Sequence, residues 1–468
     1  MSEPSAPATA PTPDAPAAPA APTDPMELLK SKSYVQLLVL AALIGIPISA
    51  VAYFYLALVS HLQTWCYQSL PDGLGFNGTP VWWPLPLLLV AAVLVSLTIT
   101  YLPGTSGHEP ALGFQAGGGA PTAAELPGVV LASIATLSLG VVLGPEAPLI
   151  AIGGGLGALA VKLAARDAPP MAATVMAAAG SFAAVSTLLG SPIVGAFLLM
   201  EATGLGGPVL GLVLVPGLLA AGIGTLIFVG LDNLTGLGTF SLAIPGLPTF
   251  SHPTVALLLW ALAMGVVATI VGTAIRLGGL AAQSLVLAHR LAWTPAAGRV
   301  VAGCAIGFAE LTHKGAQNVL FSGQTALPSL VLHASTWTVG ALIALCVAKS
   351  IAYSASLSAF RGGPIFPAMF IGAAIGVAAS HLPGMVLVPA VAMGIGAMTT
   401  VMLRLPLTAT LLAILLFASD GLSVTPLVIV SVVVAYVLPA RMPQKPADLR
   451  RASGAPAGAV PPVPAGGS

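Results

Sequence analysis

The sequence predicts an all-α polytopic membrane protein built of two internally repeated, inverted halves with broken and re-entrant helices. Composition points there first: of 468 residues 57% are hydrophobic and only 6% charged, with a mean hydropathy of +1.00. A soluble domain carries about 25% charged residues. The apolar runs are unequal in length and repeatedly interrupted by the 53 glycines and 42 prolines. Short, Gly/Pro-broken segments in corresponding places of two halves are a transporter signature. Such a recurrence is present. Residues 144–157, GPEAPLIAIGGGLG, align without gaps on 363–376, GPIFPAMFIGAAIG, at an offset of 219. Pro192 in SPIVGAFLLME matches Pro406 in LPLTATLLAIL at 214, and Ser106-Gly107 matches Ser322-Gly323 at 216. Three matches at nearly one offset weigh more than any alone.

In chain order, residues 1–25 form an Ala/Pro tract without a basic, apolar, small-residue cleavage pattern. It reads as a disordered tail and not a signal peptide. Residues 26–440 form the transmembrane domain, with repeat halves at about 78–230 and 297–440, and 441–468 read as a disordered cytoplasmic tail. Apolar segments are expected near 34–60, 80–102, 127–143, 146–163, 171–189, 192–203, 208–230, 254–275, 297–309, 339–355, 365–379, 385–402, 406–418 and 425–440. Several are too short to cross a bilayer alone. Lys30 and Lys32 precede the first run, while Arg441, Lys445, Arg450 and Arg451 follow the last. The positive-inside tendency then places both termini in the cytoplasm and makes the number of crossings even.

Several chemistries find no footing. A net charge of +1 gives no case for nucleic acid. Cys66, Cys304 and Cys346 stand singly in apolar sequence and read as packing residues. The histidines are scattered with no HExxH, so no metal site and no cofactor are expected.

The stretch from Gly140 to Gly157 holds one carboxylate, Glu146, between Pro145 and Pro148 in an otherwise uncharged run. An ionisable group at mid-helix in a bilayer costs about 2.5–3.5 kcal/mol and marks a cavity, partner or pathway. The prolines forbid a continuous helix through Gly144 and suit the first turn of a new one starting near Glu146. A helix beginning in mid-membrane aims free N–H groups and its positive dipole end at one spot, which favours an anion. Glu146 is a tethered anion competing for that spot; its bland alternative is a structural cap.

At this point the residues resemble the CLC chloride channels and proton/chloride exchangers over about 34–440. GTSGHEP (104–110) resembles the family's GSGIP, and LGPEAPLIAIGGGLG (143–157) resembles GREGPxVxxGxxxG. RGGPIFPAMFIGAAIG (361–376) resembles GxFxPxLxxG, and LRLPLTATLLAILL (403–416) resembles VRAPLTGxxLxxE. The resemblance implies chloride transport across a bacterial plasma membrane by a homodimer with one pathway per subunit. It puts the gating glutamate on Glu146 and a chloride-contacting hydroxyl on Ser106, for which an N-cap is the bland alternative. Gly107, Gly144, Ala147, Ile365 and Phe366 are the expected anion-binding neighbours, neutral donors that hold an ion without trapping it.

The departures carry weight too. Pro145 replaces the basic residue before the gating glutamate, and Pro364 stands where an N–H is usual. The family's exchangers carry an adjacent Glu-Glu whose second member handles protons; here the pair reads Glu201-Ala202. Glu201 is therefore either the inner proton site or the partner of a basic residue. There is no tyrosine after Tyr436, GTSGHEP has one residue more than the family's motif, and Arg361 and Arg404 are expected to snorkel to the water interface, with drawing anions towards the vestibule as the alternative. With only Ala, Pro and Gly-rich sequence after Arg451, no nucleotide-binding domains are expected.

The expected function is chloride or small-anion transport gated by Glu146, channel-like or weakly proton-coupled. A strict proton/chloride antiporter and a transporter of another small anion stay open. A rival of another class, an intramembrane serine protease, has only the GxSG-like Gly104-Thr105-Ser106-Gly107 and lacks a histidine inside a clean apolar run.

Overall fold

The computed structural model describes residues 30–114, 119–164, 170–204, 207–237, 244, 246–250, 252–417 and 421–441. The tails expected at 1–25 and beyond Arg441 lie outside the described residues. Helix α1 (Lys32–Thr64) continues through a π-helical turn, Trp65–Ser69, into the short α2 (Leu70–Gly73). The first half then holds α3 (Pro84–Tyr101), α4 (Leu126–Ser138), α5 (Glu146–Ala164), α6 (Pro170–Leu189), α7 (Pro192–Thr203) and α8 (Gly207–Thr235). The second holds α9 (Val255–Ala288), α10 (Arg290–Thr312), α11 (Ala326–Leu332), α12 (Val339–Ala359), α13 (Ile365–Ala379), α14 (Leu387–Leu403), α15 (Pro406–Leu416) and α16 (Gly421–Ala440). Among the described residues nine helical stretches are long and apolar enough to cross a membrane, and α4, α7, α13, α14 and α15 are apolar but shorter. The chain is an all-α polytopic membrane protein.

Local chemistry sets the boundaries. Ser31, Ser191, Thr254 and Thr338 each accept the backbone N–H three residues on, capping α1, α7, α9 and α12. Prolines open α3, α4, α7 and α15, where a missing N–H costs nothing. The sequence expectation for α4 ran to residue 143, but the helix stops at Ser138. Gly140 takes φ +103, and its carbonyl accepts the Phe321 N–H from the other half of the chain. Helix α9 runs thirteen residues past the expected 275, and its polar Gln283 in that extension is bonded to Glu109. The seven-residue α11 had no apolar run long enough to announce it.

The core lies around α13 and α14. Every residue of α14 from Val388 to Leu403 is buried, so this helix is enclosed on all sides. Helix α13 packs along α14, and α5 packs along α6. Both contacts are backbone-close. A Cβ on Gly153 would strike the Gly180 carbonyl, and one on Gly372 would strike the Gly394 carbonyl. Small residues at such crossings let helices approach where there is no hydrophobic drive to hold them together. Large apolar side chains on α1 and α9, such as Val39, Leu43, Leu259 and Ile270, are exposed outward, as a lipid-solvated surface requires.

Overpacking a tight core contact costs about 1–3 kcal/mol. Gly372→Val is therefore expected to lower the thermal unfolding midpoint of the detergent-purified protein. Gly303→Val, where the new side chain meets open space, should leave that midpoint nearly unchanged.

Candidate functional site

Helix α5 starts at Glu146 directly after Pro145, and α13 starts at Ile365 directly after Pro364. The two N-termini meet where the incoming loops cross. Two backbone hydrogen bonds join those loops: Gly144 N–H to the Gly363 carbonyl at 2.7 Å, and Gly363 N–H to the Gly144 carbonyl at 2.6 Å. Neither position tolerates a side chain, because a Cβ on either glycine would fall on the Glu146 carboxylate.

Glu146 is wholly buried. Its Oε1 accepts the Ile365 N–H, and the backbone amides of Glu146 and Phe366 also act on the carboxylate. Oε2 has no hydrogen-bond partner among the described residues. The acid thus sits on two helix N-termini, the place where free N–H groups and dipoles most favour negative charge.

Beside this junction lies a small cavity bordered by Ser106, Gly107, His108, Ala147, Arg361 and Gly362. It offers about 10 Å³ to the centre of a water-sized sphere, room for one small guest. Ser106 has left-handed backbone geometry, φ 55, and is 1% exposed. Its Oγ has no partner among the described residues. The His108 ring contacts the Gly113 carbonyl, and burial pushes its pKa below the usual 6.5. The structure therefore brings Ser106, Gly107 and Ala147 to one cavity, and Gly144, Glu146, Ile365 and Phe366 to the adjoining helix junction.

Glu201 lies elsewhere, at the last turn of α7. Its Oε1 accepts the Leu407 N–H at 3.0 Å, and its Oε2 accepts the Thr408 N–H at 2.8 Å and the Thr408 hydroxyl at 2.7 Å. The carboxylate is a cap on α15 supplied by another helix.

The expectation that Arg361 snorkels to water is corrected: it is 4% exposed. Its Nε donates to the Thr105 carbonyl at 3.0 Å, Nη1 to the Phe360 carbonyl at 3.3 Å and Nη2 to Glu109 Oε1 at 3.2 Å. A guanidinium that finds acceptors in three directions has no need of bulk water. Glu109, whose alignment the extra residue of the first motif left open, also receives Gln283 Nε2 at 2.8 Å and lies 3.9 Å from Arg290. Arg404 is exposed, as expected.

Two buried residues on α12, Lys349 and Tyr353, one turn apart, were missed in the sequence, and Tyr353 reaches the helix junction. Lys349 Nζ donates to the carbonyls of Asn318, Val319, Leu320 and Phe321 at 3.0–3.3 Å and lies 4.4 Å from the Phe370 ring centre. Tyr353 Oη donates at 2.8 Å to the carbonyl of Pro364, the residue that opens α13. The signal was available: an ionisable side chain and a phenol at i and i+4 inside an apolar run. No group of His, Cys, Asp and Glu able to hold a metal occurs among the described residues.

Comparison with known proteins agrees with this architecture. The chain is 32% identical over 349 residues to YfeO of Salmonella choleraesuis, to which ion transport is ascribed, spanning 72% of this chain and 78% of that one. It is 30% identical over 357 residues to YfeO of Escherichia fergusonii, spanning 73% and 79%. Among solved structures it superposes on a slow cyanobacterial Cl−/H+ antiporter with a TM-score of 0.69 at 20% identity, covering 89% of this chain and 97% of that one. A CLC-type fluoride/proton antiporter superposes with a TM-score of 0.62 at 19% identity, covering 86% and 95%. At these identities the two structures establish the fold alone. The family model described as voltage gated chloride channel matches residues 104–440, the span that holds both broken-helix junctions and the cavity. The chain belongs to the voltage gated chloride channel family, the CLC proteins, and is a membrane transport protein rather than an enzyme.

Proposed function

We propose that the chain carries chloride or a similar small anion through a pathway gated by Glu146, channel-like or only weakly coupled to protons. One observation carries the reading. The Glu146 carboxylate occupies two helix N-termini beside a cavity whose Ser106 hydroxyl is buried and unspent. A free anion and this tethered one want the same donors, so the gate works by population. The ionised side chain holds the site, and protonation or a competing anion releases it. Ser106 and Gly107 supply neutral donors from one loop, while Gly144, Ala147, Ile365 and Phe366 frame the site from the two helix starts.

The duplicated, inverted architecture belongs to the same proposal and draws support from matched contacts. Gly144 pairs with Gly363, and Glu146 meets Ile365, both 219 apart. The Thr136 hydroxyl accepts the Arg361 N–H while the Ser356 hydroxyl accepts the Val142 N–H, an exchange between equivalent positions of the two halves. Gly153 against Gly180 and Gly372 against Gly394 repeat at offsets of 219 and 214, the same two offsets found in the sequence.

Weak proton coupling follows from the inner residues. Ala202 stands at the family's proton position, and Glu201 spends both oxygens on the α15 cap. A homodimer in a bacterial plasma membrane, with cytoplasmic termini, completes the reading.

In liposomes under a chloride gradient, chloride efflux is expected without uphill proton movement. Uphill proton movement tied to chloride would replace this reading with strict antiport, and absence of chloride flux would turn it to another anion. Glu146→Gln should leave efflux running with most of its pH dependence gone, and an unchanged pH profile would remove Glu146 from the gate. Ser106→Ala deletes a charge-free donor, worth about 0.5–1.5 kcal/mol, so chloride should bind about two- to tenfold more weakly in calorimetry.

A further inference from the structure

Arg361 is among the residues that border the cavity, and its charge acts on the neighbouring His108 ring. A guanidinium carries five N–H groups. Three are engaged by Thr105, Phe360 and Glu109, which leaves two without an acceptor among the described residues, on a residue that borders the cavity. Apart from the titratable His108, Arg361 is the one ionisable side chain among the described residues lining it. An unopposed charge in a poorly solvated site acts over a short range far more strongly than in water. A pathway so equipped would bind its ion well and release it slowly, whereas transport needs binding weak enough to leave.

Glu109 answers that problem. It lies 3.2 Å from Arg361 and 3.9 Å from Arg290, and Gln283 fixes its second oxygen. We propose that Glu109 is the counter-charge that keeps Arg361 from trapping the anion, so that the balance of this carboxylate against Arg361 and Arg290 sets the affinity and release rate of the cavity. The inference rests on the anion-transport reading above. It assigns Glu109 and Arg290 a tuning role through Arg361 without contact to the anion, and gives Arg361 the role of a direct donor. The bland alternative is that the network only staples the Ser106 loop to the α9 and α10 junction.

Charge arithmetic separates the two. The full-length protein and three variants, Glu109→Gln, Arg290→Gln and the double Glu109→Gln/Arg361→Gln, are compared by chloride calorimetry and by chloride efflux from liposomes. Glu109→Gln should bind chloride about tenfold more tightly and turn over more slowly. Arg290→Gln should bind a few-fold more weakly, and the double variant should return towards the parent because the net charge at the wall is restored. A shift of both single variants in the same direction, or no shift in either, would overturn the proposal and leave a staple. Should Glu109→Gln not fold, the partly exposed Arg290 decides alone: weaker binding supports the proposal, and unchanged or tighter binding overturns it. Absence of chloride binding and flux in the unaltered protein would instead defeat the anion reading on which this one stands.

Discussion

The pair of backbone hydrogen bonds between Gly144 and Gly363 is the constraint on which the site depends. Breaking a helix inside a bilayer frees N–H and carbonyl groups that no water is present to satisfy, and each left unpaired costs several kcal/mol. Here the two broken stretches satisfy one another through the one isolated antiparallel bridge among the described residues. The bridge fixes the distance between the α5 and α13 N-termini, and that distance decides whether one carboxylate can touch both. It also dictates glycine on both sides, since the room a side chain would occupy is filled by Glu146.

The surrounding packing carries the bridge outward. Backbone-close crossings of α5 on α6 and of α13 on α14 hold each broken helix against a buried one. The hydroxyl exchange of Thr136 with Arg361 and Ser356 with Val142 ties the end of each preceding helix to the loop of the opposite half. None of these contacts is strong alone, but together they leave little freedom for the junction to open by backbone movement. Within this frame the Glu146 side chain has one oxygen held by the Ile365 N–H and one without a partner among the described residues.

Much of this was legible in the sequence because the signals were local or symmetric. Pro145 and Pro364 announce helix starts wherever they stand, and the 219-residue offset pairs the two starts with each other. The burial of Arg361 was not legible: a basic residue before a helix in apolar sequence reads as an interface residue until a distant carboxylate, Glu109, is known to face it. Glu201 illustrates the same limit, since its donors come from Leu407 and Thr408, two hundred residues on. Nor could composition reveal α11 or the full length of α9, where Gln283 meets Glu109, a residue 174 positions away.

Lys349 and Tyr353 give α12 a further character. The carbonyls of residues 318–321 converge on the Lys349 Nζ, so this turn is organised around an amino group that the chain itself supplies. One turn along, the phenol grips Pro364. A single helix thus acts as a crossbar with two fixed pegs. Its rotational register sets the turn and the α13 entrance together, and a slip of one residue would unseat both at once.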